Sequence, residues 1–239
     1  MDRRRLGIAT ITLARNNQEE QLLKESVAIL AAFDLPVYVT DGGSGKSFLQ
    51  FMEKFSNIHL LPPLKGVWMQ AKQSISAAAN TGKEFIFYTE PDKQEFFKHS
   101  LSSMLNDLEV DDKTGVILAS RSAEAFNSFP LFQQMTEQTI NNCCSEVIGI
   151  ETDYVYGPFL LNSKLIQHLN DLPKDIDWGW RPYAFNIANR LNYDLQSFTG
   201  DFYCPVDQRQ DDAKERLYRI RQLQQNMQGL LLSSAAILE

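Results

Sequence analysis

Short apolar runs and amphipathic stretches alternate through the first ninety residues, and no other feature constrains the fold as strongly. Leu6–Leu13, Leu35–Thr40, Ile58–Leu61 and Phe85–Thr89 read as strands, rich in β-branched and aromatic residues. Between them, residues 18–33 place Leu22, Leu23, Val27, Leu30 and Ala31 on one helical stripe, and 48–55 and 68–80 read as two more helices. Strands separated by helices of this length run parallel, with the crossovers covering the sheet. An α/β fold with a mostly parallel central sheet flanked by helices is therefore expected.

Beyond residue 95 the alternation weakens. Residues 96–108, 130–145, 163–169 and 178–191 read as helices, 116–119 and 155–161 as strands, and the polar, heptad-like 211–232 as a C-terminal helix. No linker or internal repeat interrupts the chain, and 239 residues amount to about 1.6 domains at roughly 150 residues each. A single domain over 1–239 is the simpler expectation.

Charge and cysteine usage narrow the function classes. With 23 Lys+Arg against 30 Asp+Glu the net charge is -7, which argues against a nucleic-acid partner held by phosphate contacts. Cys143 and Cys144 are adjacent and Cys204 makes an odd count, so a reduced, cytoplasmic setting is expected. The scattered His59, His99 and His168 form no zinc spacing with them. Residues 1–14 imitate the basic and apolar parts of a signal peptide, but Thr10 and Thr12 interrupt the run and no small-residue cleavage site follows. A first β-strand is the expectation there. Gly229–Leu238 is too short to cross a bilayer, so no transmembrane segment is expected; a docked tail or a peripheral membrane contact both stay open. Nothing in the pattern selects an oligomeric state.

Asp41-Gly42-Gly43-Ser44-Gly45-Lys46-Ser47 follows a strand and precedes a helix, as a phosphate-binding P-loop does. The first glycine of that pattern would fall on Thr40, and Asp41 would set a carboxylate beside bound phosphate. A P-loop kinase or NTPase is therefore the weaker alternative. In the other reading Asp41 accepts hydrogen bonds from a ribose hydroxyl or a base, with Gly43 allowing close approach. The same residues also make an ordinary turn.

Order adds what no single motif carries. Leu13-Ala14-Arg15-Asn16-Asn17 ends the first strand and Thr40-Asp41-Gly42-Gly43-Ser44 the second. Lys65-Gly66 then opens a small-residue helix carrying Lys72, and Glu90-Pro91-Asp92 ends an apolar strand. This succession resembles the nucleotide-binding half of GT-A glycosyltransferases, most closely the family 2-like group, over about 6–95 and more loosely over 150–195. The resemblance implies one GT-A (Rossmann-like) domain with a nucleotide-sugar half over about 1–95, an acceptor half over about 96–205 and a helical tail over 206–239.

It also implies a nucleotide-diphosphate-sugar donor, UDP- or GDP-linked, a hydroxyl acceptor, and Mn2+ or Mg2+. A divalent cation neutralises the charge that builds on a departing pyrophosphate, and it takes hard oxygen ligands. Asp92 and Glu90 are the expected metal ligands, although the family's first acid is normally Asp, so Glu90 could reach the ribose instead. Ala14, Arg15, Asp41, Gly43, Lys65, Gly66, Lys72 and Glu90 are the expected donor contacts. The altered acidic motif keeps a second class in view, a nucleotide-sugar-binding protein with weak catalysis.

In the acceptor half, Asp175-Ile176-Asp177-Trp178-Gly179-Trp180 stands where family 2-like enzymes have an acidic loop before a helix. Asp177 first, then Asp175, is the expected general base. Asp177 equally suits a helix N-cap. Trp178 and Trp180 are expected to wall the acceptor sugar. GT-A relatives that glycosylate glycerate with retention often carry a His ligand in the C-terminal segment, and Asp201-Phe202-Tyr203-Cys204 offers none. Inversion and retention both stay open.

Overall fold

A computed structural model describes residues 2–238. Its elements in chain order are β1 (Leu6–Thr12), α1 (Asn17–Ala31), β2 (Val37–Asp41), α2 (Lys46–Met52), β3 (Ile58–Leu61), α3 (Val67–Ala79), β4 (Phe85–Thr89), α4 (Gln94–His99), α5 (Leu101–Asp107), β5 (Thr114–Arg121), α6 (Ala123–Asn127), α7 (Leu131–Ile148), β6 (Phe159–Asn162), α8 (Trp180–Arg190), β7 (Asp194–Gly200) and α9 (Ala213–Ala235). Short 3-10 turns include Ser163–Leu169 and Asp177–Gly179. The fold is α/β, its strands mostly parallel, with flanking helices and a C-terminal helix.

The chain divides into two compact units. The first runs to Val110 and takes back Pro158–Ile166; the second holds Asp111–Gly157 and the described residues from Gln167 on. The first unit thus takes β6 from the later stretch of the chain.

In the first unit the strands lie in the order β3-β2-β1-β4-β6; the first four are parallel and β6 is antiparallel to β4. All residues of β1, β2 and β4 are buried, as expected of strands covered on both faces. α3 packs over β1 and β2 and buries Trp68, Ala71, Ile75 and Ala78, spaced at the helical period. Its Ser74 Oγ stands 2.9 Å from the Thr10 carbonyl oxygen and 2.8 Å from Thr40 Oγ1, which satisfies three buried polar groups at once. The expected helix over 96–108 is two helices, broken at Ser100, whose φ of -129° leaves the helical region. β6 begins only at Phe159, because Pro158 has no N–H to give a ladder.

In the second unit β5 and β7 pair in parallel, with an irregularity between Thr114 and Val116. β7 escaped the sequence reading because Asp-Leu-Gln-Ser-Phe-Thr-Gly buries only Leu195 and shows no clean alternation. Helices α7 and α8 both pack against α9. The tail of α9 is docked: Leu230 and Ser233 are buried, Asn186 Nδ2 donates to Ser233 Oγ at 2.9 Å, and Arg190 donates to the Ser233 carbonyl oxygen. No described helix is long and apolar enough to cross a membrane. The three cysteines are free thiols, and burial pushes that of Cys144 up to about 12.

Candidate functional site

β1 lies between β2 and β4 and runs parallel to both, with Thr12 opposite Asp41 and Thr10 opposite Thr89. The C-terminal ends of these three strands therefore share one edge of the first unit, the side on which open α/β sheets bind ligands. Asp41, 2% exposed, ends β2 on that edge. Its Oδ1 accepts from the Gly43 and Ser44 amides at 2.7 and 2.6 Å, and its Oδ2 from Thr12 Oγ1 and Ser44 Oγ at 2.8 and 2.6 Å. A carboxylate has about four acceptor positions, and here all four are filled from within the chain. Asp41 thus holds the turn, and the hydrogen bonds it is expected to accept from a ribose or base give way to this role. Ser44 Oγ also accepts from the Ala14 amide at 2.8 Å, tying the turn after β1 to the turn after β2. Gly43, at φ 120°, supplies the backbone bend that brings its amide onto Asp41.

The P-loop alternative fails on this geometry. In a P-loop the backbone amides face phosphate, whereas those of Gly43 and Ser44 face Asp41, and Lys46 is exposed at the start of α2.

On the other side of β1, Glu90-Pro91-Asp92 directly follows β4. Glu90 is 9% exposed, and Asp92 Oδ2 lies 3.2 Å from Lys93 Nζ. Among the described residues no group of three or more His, Cys, Asp or Glu side chains gathers as a metal cage. Two carboxylates suit Mn2+ or Mg2+, which keep phosphate oxygens and water in their remaining positions.

The other expected donor residues differ in setting. Lys65 and Gly66 are exposed in the loop whose Leu64 amide donates to the Asp41 carbonyl oxygen at 3.1 Å, beside the Asp41 turn. Lys72 is half-buried, its ammonium 6.0 Å from the Trp68 ring. Arg15 is exposed; its amide donates to Glu19 Oε2 at 2.8 Å and its guanidinium lies 3.6 Å from the same carboxylate, so both serve the first turn of α1. Gln70 was missed by sequence reasoning. It is 6% exposed, its Oε1 accepts no hydrogen bond within the chain, and a Cβ on Gly42 would stand 3.2 Å from its Nε2. A polar residue in a helix of Ala and Ser gives no sequence signal of that placement.

In the second unit Asp177 opens a 3-10 turn at φ 41° and caps no helix. Its Oδ2 accepts from Gln225 Nε2 of α9 at 3.3 Å. Asp175 is exposed on the rim of a cavity of about 480 Å³ shared with Ile176, Arg221 and Gln225. Trp178 is half-buried and its indole donates to Tyr218 Oη at 3.1 Å. Trp180 corrects an expectation: at 0% exposure it is core of α8 and has no face to offer an acceptor sugar. The helical period explains this, since Trp180, Ala184, Ile187 and Ala188 share the buried stripe.

A buried ionic cluster also escaped notice. Arg121 Nε donates to Asp153 Oδ2 at 2.6 Å and Nη2 to Glu137 Oε2 at 2.7 Å, with 1% of the arginine side chain exposed. Burial opposes both charges, yet the pairing prevails: Arg121 is held above its ordinary pKa and Asp153 below its own. Its members are far apart in sequence, so no local motif announces them.

No family model matches the chain, and no curated protein matches it in sequence. Solved structures do match in fold. Glucosyl-3-phosphoglycerate synthase from Mycobacterium tuberculosis, in complex with Mn2+, UDP-glucose and phosphoglyceric acid, superposes with a TM-score of 0.64 at 13% identity, over 98% of this chain and 81% of that one. The same synthase with UDP gives a TM-score of 0.64 at 13% identity over 98% and 82%, and a mycobacterial protein gives 0.64 at 13% over 98% and 76%. The fold is that of the GT-A nucleotide-sugar glycosyltransferases.

Proposed function

We propose that the protein is a glycosyltransferase that moves a sugar from a UDP-sugar to a hydroxyl acceptor with the help of Mn2+ or Mg2+, in a cytosolic setting. The observation that carries this reading is the placement of the Asp41 turn and of Glu90-Pro91-Asp92 on either side of β1, at one strand edge of a GT-A fold. That edge brings a turn hydrogen-bonded to Asp41 beside a pair of hard oxygen donors, as a nucleoside diphosphate and its cation require. Asp92 and Glu90 would hold the cation, and the bound cation would neutralise charge on the departing diphosphate. Lys65, Lys72 and Gln70 are the side chains proposed to meet the donor. In the transfer the bond from the anomeric carbon to the diphosphate oxygen breaks and the bond to the acceptor oxygen forms. The hydroxyl proton passes to a carboxylate, for which Asp177 is proposed, with Asp175 second; UDP leaves.

Thermal-shift titration with UDP-sugars, with and without Mn2+, tests the reading. Expected are stabilisation by UDP that grows with Mn2+ and donor hydrolysis abolished by Asp92→Ala. No response to any UDP-sugar would overturn it. The ion pair of Lys93 with Asp92 favours one second reading, a nucleotide-sugar-binding protein of the same fold. Metal and nucleotide binding without donor consumption on any acceptor would select it.

A further inference from the structure

At the C-terminal end of β5 the second unit holds a cavity of about 490 Å³, lined among others by Ser120, Phe126, Asn142, Ser145 and Thr199. This lies inside the range of roughly 300–1,000 Å³ found for small-molecule sites. The charged side chains in its lining are Arg121, Glu151 and Asp153. The guanidinium is closed to a ligand. It is paired with Asp153 and Glu137, and its carbon lies 4.6 and 4.4 Å from the ring centres of Phe126 and Phe129. Ser122, also in the lining, donates to Asp201 at 2.6 Å, which adds a carboxylate nearby. An anion entering here would meet carboxylates and, within this lining, no accessible cation, and like charges at close quarters repel.

What the cavity offers is neutral. Gln138 Nε2 donates to Asn142 Oδ1 at 2.7 Å, which orients the Asn142 amide and leaves its N–H groups to donate. Asn127, Ser145 and Thr199 add further donors and acceptors. Amides and hydroxyls together suit the vicinal diols of a sugar ring, and Phe126 supplies an apolar wall for its C–H face.

We infer that this cavity is a binding site for a neutral saccharide, not for a phosphorylated or carboxylated one; the choice of a sugar rests on the glycosyltransferase reading. Saturation-transfer NMR on the full chain tests it, with glucose, mannose and maltose as neutral probes, 3-phosphoglycerate and glycerol 3-phosphate as anionic ones, and UDP with Mn2+ in a parallel sample. Expected is transfer to a neutral sugar, none to the anions, and affinity for that sugar at least tenfold weaker in Asn142→Leu. Thr199→Val, on an exposed edge-strand position, is the second variant and should weaken it about threefold. Transfer to the anions alone, to no probe, or to sugars with affinity unchanged in both variants overturns the site. The UDP sample separates the two ideas: UDP binding without sugar binding defeats the saccharide site alone, whereas sugar binding sensitive to both variants without UDP binding supports the pocket and defeats the donor reading.

Discussion

The carbonyl oxygen of Gly179 stands 1.8 Å from where a Cβ on Gly229 would have to sit, so the two backbones meet with no room for a methyl group. A Cβ on Gly179 would in turn fall 2.2 Å from the Gln225 carbonyl oxygen. The turn that carries Asp177 is therefore seated on α9 by a pair of glycines, and Gln225, one turn before Gly229, reaches the Asp177 carboxylate. Gly229→Ala should force α9 outward and cost at least about 1–3 kcal/mol, the usual range for overpacking. Urea denaturation reads the loss. A midpoint equal to that of the unaltered protein would mean that α9 does not seat as described.

The Asp41 turn yields a ranking. Asp41→Ala strips four donors of their acceptor at a buried position and should cost about 1–3 kcal/mol or more, with UDP affinity falling at least tenfold. Ser44→Ala leaves Asp41 with three donors and should cost about 1 kcal/mol. Chemical denaturation and UDP titration of both variants give the order, and equal effects would show that Asp41 is not the organising group.

Asp153 predicts an acid limit. Its carboxyl is held below the ordinary value of 3.8. A lowered folded pKa makes a contribution that is complete above the unfolded value and is lost as pH falls through the folded one. Stability should thus decline below about pH 4 as Asp153 is protonated and its pairing with Arg121 fails. Asp153→Asn should cost about 3–5 kcal/mol at pH 7, because it leaves a buried guanidinium short of a partner, and should flatten this part of the acid limb. Denaturation at pH 5 and pH 3 checks the sign. Identical slopes in the two proteins would refute it.

Lys93 competes for Asp92. An ion pair with a half-exposed acid is worth about 0.2–1 kcal/mol, so Lys93→Met should tighten Mn2+ binding in the absence of nucleotide by no more than about fivefold. Electron paramagnetic resonance titration of free Mn2+ measures it. Weaker binding in the variant would show that Asp92 is not a ligand.

Lys46 offers a plain discrimination. It is exposed at the first position of α2, and the amides of Gly43 and Ser44 in the preceding loop are taken by Asp41. Lys46→Ala should leave nucleotide affinity within about twofold, since an exposed lysine outside the site contributes within about ±0.5 kcal/mol. A loss of ATP binding would revive the P-loop.

Periodicity alone determined most of the first unit. β4 falls on Phe85–Thr89 as read, and α3 differs by a residue at each end, because a fully buried strand and a one-faced helix write their environment into consecutive residues. The same local logic placed Asp41 and Glu90-Pro91-Asp92 at strand ends, and the shared edge follows once those strands are parallel. Tertiary structure alone decided what these groups do: that Asp41 turns its carboxylate inward onto Thr12 and Ser44, that Trp180 is core, that Gln70 stands beside Gly42, and that Arg121, Glu137 and Asp153 meet. Partners separated by 16 and 32 residues, and a polar edge strand such as β7, have no short-range signature. Their contacts exist only after the chain has paid the entropy of bringing distant segments together, which local pattern does not encode.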